Sequence, residues 1–162
     1  MKVMLEKLES IVAAEITVYR ALLELARRKG AAVIAKRMLE VHEVQEAEGK
    51  LIEQISQLEP QRQFAVRKLC RDCGLDAAQG HVSMLVAQLG AVAEPLQQQA
   101  NELRALLDDL KAVNAANAQH IRENIECLQG AIDAIRLNCA AQENYDASGD
   151  RRSRALMIDG KV

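Results

Sequence analysis

A chain of 162 residues in which Ala, Glu, Lys, Leu and Arg supply about half has the composition of long helices in a single domain. Three aromatic residues (Tyr19, Phe64, Tyr145) and no Trp exclude a sandwich or barrel, which draws on aromatic and β-branched side chains. A balance of 21 basic against 23 acidic residues, net −2, argues against nucleic-acid binding, and the apolar runs fall far short of the ~20 residues that span a bilayer.

The N-terminus, Met1-Lys2-Val3-Met4-Leu5-Glu6-Lys7, turns charged too soon for a secretory signal. Four Cys do not make a disulfide scaffold in a chain this long, so a reducing cytoplasm is expected. Apolar residues then recur at Met4, Leu8, Ile11, Val18, Leu22 and Leu25, with Glu15 in the skipped position. This is heptad spacing on one helix face. The stripe weakens at Gly30 and resumes at Ile34, Met38 and Val41, then Leu51, Ile55 and Leu58. Gly30 and Gly49 cost about 1 kcal/mol each in a helix interior, too little to stop a packed helix. The spacing therefore predicts one helix over residues 3–58.

Pro60 suits the first turn of a new helix, where its missing N–H is orphaned anyway. A short corner helix is expected from Pro60 to Cys73, ended by Gly74. Residues 74–82 read as a loop, Ser83 as an N-cap, and Pro95 as a kink or restart. From there a stripe runs Leu96, Leu103, Leu106, Leu110, Val113 and Asn117. It then slips one residue to Ile121, Ile125, Leu128, Ile132 and Ile135. A four-residue step inserted into heptads unwinds a supercoil locally, so this end is expected to present a different face. After Gln142 the sequence turns polar and aperiodic, apart from Ala155-Leu156-Met157-Ile158.

The expected fold is all-α: a long, coiled-coil-like antiparallel helical hairpin with a short corner helix, residues 1–142, and a C-terminal tail, residues 143–162. One seam leaves much apolar surface uncovered, so a client or self-association into a homo-oligomer is expected over it.

Chemistry is sparse. Cys70-Arg71-Asp72-Cys73 has the C-x-x-C spacing of a redox dithiol or half a zinc site, which makes Cys70 and Cys73 the candidate metal ligands. The βαβ setting of a redox dithiol is missing, His81 is the one nearby further ligand, and Cys127 and Cys139 lack paired spacing. Two ordinary cysteines on a corner helix are the simpler reading, with no metal and no cofactor. Glu-x-x-His pairs fail at His42, His81 and His120, preceded at three residues by Leu39, Ala78 and Asn117. Ser10, Ser56 and Ser83 lack a nucleophile-elbow context, so no catalytic residue is assigned and no enzyme is expected. Glu15, Asn114 and Asn117 are polar residues at or near buried positions, either fixing register or edging a solvated seam. Arg27-Arg28-Lys29 and Lys36-Arg37 are followed closely by acidic residues and read as a solvated face.

Four segments in order resemble a known family: Glu15-x-x-x-Tyr19-x-x-Leu22-Leu23-x-Leu25; Leu58-Glu59-x-x-Arg62; Asn114-x-x-Asn117-x-x-His120-Ile121; and Tyr145-Asp146-Ala147-Ser148-Gly149. Over most of residues 5–149 the chain resembles the FlgN family of flagellar type III export chaperones. One departure is His120, where an aliphatic residue is usual. The resemblance implies a cytoplasmic bacterial protein that is not an enzyme. Such a protein holds the hook–filament junction proteins FlgK and FlgL by their helical C-terminal segments and delivers them to the flagellar export apparatus.

The resemblance places client binding toward the C-terminal part, and two features of the sequence agree. The slip after Asn117 turns Ile121, Ile125, Leu128, Ile132 and Ile135 away from the preceding stripe. Tyr145, Leu156, Met157 and Ile158 sit on a tail too small to build a core and free to fold onto a client. An amphipathic hairpin can lend such a client a helix face. The alternative is a structural or signalling helical bundle acting through dimerisation.

Overall fold

The computed structural model describes residues 1–75 and 82–158, with side chains described up to residue 140. Among the described residues four helices follow one another: α1 Lys2–Ile34, α2 Met38–Asp72, α3 Val82–Leu89 and α4 Glu94–Ile158, with a 3₁₀ turn over Gly90–Ala93 leading into α4. No strand occurs among the described residues, so the fold is all-α. Contacts divide the chain into two units, Met1–His120 and Ile121–Val162.

The helix expected over residues 3–58 is broken in two. α1 stops at Ile34, and the chain reverses through Ala35, Lys36 and Arg37. Lys36 adopts φ 57°, the left-handed region. Its N–H bonds to the Val33 carbonyl at 3.1 Å, and the Arg37 N–H reaches back to Ala32 at 2.9 Å. These two bonds are a Schellman closure, which usually selects glycine at the left-handed position. α2 then runs antiparallel to α1. Arg62 meets Glu15, Arg28 meets Glu40, and the Cys73 thiol lies 4.0 Å from Met1 Sδ. The long antiparallel hairpin is therefore α1 with α2.

α2 also absorbs the expected corner. Pro60 lies inside it rather than at a helix start. A mid-helix Pro frees the carbonyl four residues back, and at Ser56 that carbonyl belongs to an exposed residue that water can reach. Packing of Leu58, Ala65, Val66 and Leu69 against α1 offsets the lost bond. α2 ends where the sequence placed the stop: Gly74 takes φ 70°, with Gly74 N–H on Arg71 and Leu75 N–H on Cys70 closing a second Schellman motif. The short helix of the connection is α3. Ser83 falls inside it, one residue past Val82. Pro95 stands in the first turn of α4, after the 3₁₀ turn. The helix continues across residue 142 to Ile158, and residues 159–162 lie outside the described part.

Within Met1–His120, the first part of α4 runs parallel to α1. Glu102 pairs with Arg20, and Asn117 pairs with Ala26 further along both helices. α1 is thus flanked by two helices, which explains why its buried face is wider than one heptad stripe: Leu5, Leu8, Ile11, Val12, Ile16, Val18, Leu22 and Leu23 are all buried. One core cluster joins Leu5, Leu8, Ile11, Val12 and Ile16 of that face to Ala65, Val66, Leu69 and Cys70 of α2, Leu85 of α3 and Leu96 of α4.

Candidate functional site

The motif residues of the first unit meet as structural contacts. Glu15 is 2% exposed on α1 and faces Arg62 of α2, whose Nε donates to Oε1 at 3.0 Å and lies 2.9 Å from Oε2. Burial raises the Glu15 pKa above the ordinary carboxylate value, and the hydrogen bond and charge of Arg62 offset that only in part. Tyr19, one turn on, is likewise raised, first by burial and then by the nearby Glu15 and Glu59 carboxylates. Asn117 of α4 is 5% exposed, and its Nδ2 donates to the Ala26 carbonyl at 2.7 Å. Its side chain fills the space that a Cβ at Gly30 would occupy. Glu15 and Asn117 are therefore buried register-fixing contacts, whereas Asn114 is exposed.

Arg28, Lys29 and Arg37 of the basic runs are paired near the hairpin turn. Arg28 Nε donates to Glu40 at 2.8 Å, Arg37 pairs with Glu40 at 2.9 Å, and Lys29 Nζ bonds both carboxylate oxygens of Glu48 at 2.8 and 2.7 Å. Arg28 holds the Glu40 carboxyl below its usual range, first through that hydrogen bond. The Lys29–Glu48 pair, partly buried at both ends, escaped the sequence reading because its nineteen-residue separation spans the unforeseen turn.

Cys70 is fully buried in the core cluster and Cys73 is half-buried. Among the described residues no group of three His, Cys, Asp or Glu side chains could hold a metal ion, and His81 lies outside them. A cavity of about 250 Å³ between α2, α3 and α4 is lined by Arg62, Val82, Ser83, Gln97, Ala100 and Arg104. Ser83 there has neither a histidine nor a carboxylate among the lining side chains to activate it.

The second unit differs. Ile121, Ile125, Leu128, Ile132 and Ile135 are all exposed, from 37% at Ile121 to 64% at Leu128. Their four-three-four-three spacing puts them on one face of α4. Leu137, two residues on, is also exposed but off that face, and no periodic signal singles it out. Tyr145, Leu156, Met157 and Ile158 belong to the helical span, but their side chains lie outside the described part. No helix among the described residues is long and apolar enough to cross a membrane.

Comparison with known proteins adds one finding. Neither a curated protein nor a solved structure matches the chain. The family model described as FlgN protein matches residues 1–153, nearly the whole length. All four resembling segments fall inside that span. The chain belongs to the FlgN family, a family of flagellar export chaperones rather than enzymes, whose partners are proteins of flagellar export.

Proposed function

We propose that this chain is a cytoplasmic chaperone that binds helical C-terminal segments of the hook–filament junction proteins FlgK and FlgL. It keeps them unassembled until they pass to the flagellar export apparatus. The observation that carries this reading is the exposed aliphatic face Ile121, Ile125, Leu128, Ile132 and Ile135, outside the compact first unit. A helix bearing such a face can shield a complementary amphipathic client in the helix-in-groove mode. Under this reading Tyr145, Leu156, Met157 and Ile158 are further client contacts. Low aromatic content suits a client that must be released, since Trp and Tyr dominate tight hot spots.

The test changes Ile125 and Ile132 to Ser in one variant and truncates after Gln142 in another. Helicity and affinity for purified FlgK and FlgL are measured together. Two Ile side chains buried by a client contribute about 3 kcal/mol or more, so the Ser pair should weaken binding roughly a hundredfold. Helicity should be kept. Full affinity in both variants, with the fold unchanged, sinks the proposal.

A further inference from the structure

The aliphatic face of the second unit is bordered unequally on its two sides. With Ile121, Leu128 and Ile135 as one row of a heptad seam and Ile125 and Ile132 as the other, the flanking positions follow from helical geometry. One flank reads Arg122, Gln129 and Arg136; the other reads Asn124, Ala131 and Asn138. Both described arginines of this stretch, Arg122 and Arg136, thus lie on the same border, two heptads apart. The carboxylates Glu123, Glu126 and Asp133 sit farther round the helix, outside both borders. Asp133 lies 3.5 Å from Arg136, with both side chains largely exposed, so this local pair leaves the guanidinium open to a partner.

This asymmetry discriminates between occupants. A second copy docked antiparallel would set its arginine border against the same border, with guanidiniums opposed. Docked parallel, it would set the arginine border against Asn and Ala, gaining no ion pair. Neither arrangement of two copies uses the charges well. A helix that supplies carboxylates along one edge of its own apolar seam satisfies both arginines at once.

We propose that this face selects an amphipathic client helix carrying Asp or Glu on one flank of its seam, spaced two heptads apart to meet Arg122 and Arg136. The inference rests on the client-binding reading above and adds a rule for which helices qualify. The apolar seam supplies affinity, and the arginine border supplies choice of partner and register. Each exposed ion pair contributes about threefold, so two give roughly a tenfold preference that fades in high salt.

The experiment uses the full chain and two synthetic amphipathic helical peptides of four heptads, identical along a Leu/Ile seam. One carries Glu at its flanking positions, the other Lys. Affinities are measured by calorimetry at low and high salt, with the wild type and with Arg122→Glu/Arg136→Glu. The wild type should prefer the Glu peptide about tenfold, the preference should shrink in high salt, and the double variant should invert it. Equal binding of both peptides by the wild type overturns the charge rule and leaves the aliphatic face in use. Binding of neither overturns both readings. A wild-type dimer in sedimentation that Ile125→Ser/Ile132→Ser dissolves, with helicity kept, overturns the proposal in favour of a second copy.

Discussion

Residues 94–120 and 121–140 belong to the same helix and repeat apolar residues at the same three- and four-residue steps, yet they differ in what becomes of them. Leu96 is fully buried, and Leu103 and Leu106 pack on the core made with α1 and α2. Ile121, Ile125, Leu128, Ile132 and Ile135 are exposed. The difference teaches that periodicity reveals a helix face and says nothing of what covers it. Polar residues mark the change better. Among the described side chains Asn117 is the last buried one along α4, and beyond it the row slips by one residue. The first stretch packs its apolar face on the core, whereas the second leaves its face exposed.

The largest effect should separate these two stretches outright. Leu8 is fully buried in the core cluster of the first unit, so Leu8→Ala should cost about 2–5 kcal/mol in transfer and cavity terms. Leu128→Ala, on a side chain 64% exposed, should change stability by no more than about 0.5 kcal/mol. Urea unfolding followed by circular dichroism reads both. Similar losses in the two variants would make the second stripe part of the core and erase the distinction.

A smaller effect probes the polar contact inside the first unit. Arg62→Met strands the Glu15 carboxylate between α1 and α2, and breaking such a pair from one side should cost about 2–3 kcal/mol at neutral pH. The pH dependence has a definite sign. The Glu15 pKa is already raised in the fold, so between its unfolded and folded values the native state holds more protons, and stability falls as pH rises through that window. Removing Arg62 removes the offsetting influence and raises the folded value further. The variant should therefore recover part of its loss on going from about pH 7.5 to about pH 5. Urea midpoints at the two pH values check this, and a loss that grows on acidification would contradict the assignment.

How much was legible in the sequence is shown best by the two helix ends that share one geometry. α2 closes on Gly74 and α1 closes on Lys36, both left-handed and both capped by the same pair of backbone bonds. Glycine announces such a stop and lysine does not, so the first was foreseen and the second was missed. With no Gly or Pro at 35–37 and an apolar stripe running on through Ile34 and Met38, a straight helix was the natural expectation. Both side chains are exposed in the structure, since the chain is turning there. Pro60 misled in the opposite direction: it looked like a start and lies within a helix held by packing. The all-α class and the aliphatic stripe after Asn117 were legible because heptad spacing survives local errors. The choice between a register-fixing contact and a solvated edge for Glu15 and Asn117 was not, because their partners sit 47 and 91 residues away.

The smallest effect tests the close approach that ends the buried part of α4, and its sign depends on one neighbour. Ala in place of Gly within a helix ordinarily stabilises by about 1 kcal/mol, because it restricts the unfolded chain. At Gly30 the added Cβ would run into the Asn117 amide, which is held by its bond to the Ala26 carbonyl. To make room the amide must shift and give up that bond, and a buried amide left without a partner costs about 1–3 kcal/mol. Gly30→Ala alone should therefore destabilise by about 1 kcal/mol, the difference between the two effects. In an Asn117→Ala background the obstacle is gone, and the same substitution should stabilise by about 1 kcal/mol, measured by urea unfolding of all four proteins in a double-mutant cycle. The inversion is specific to this contact, because a general intolerance of side chains at position 30 would destabilise both backgrounds alike. Leu128→Ala added to each corner of the cycle should leave the inversion unchanged, since the exposed stretch carries none of this contact. A coupling that moves with Leu128 would instead tie the exposed face energetically to the buried one, and the two stretches of α4 would no longer be separate in function.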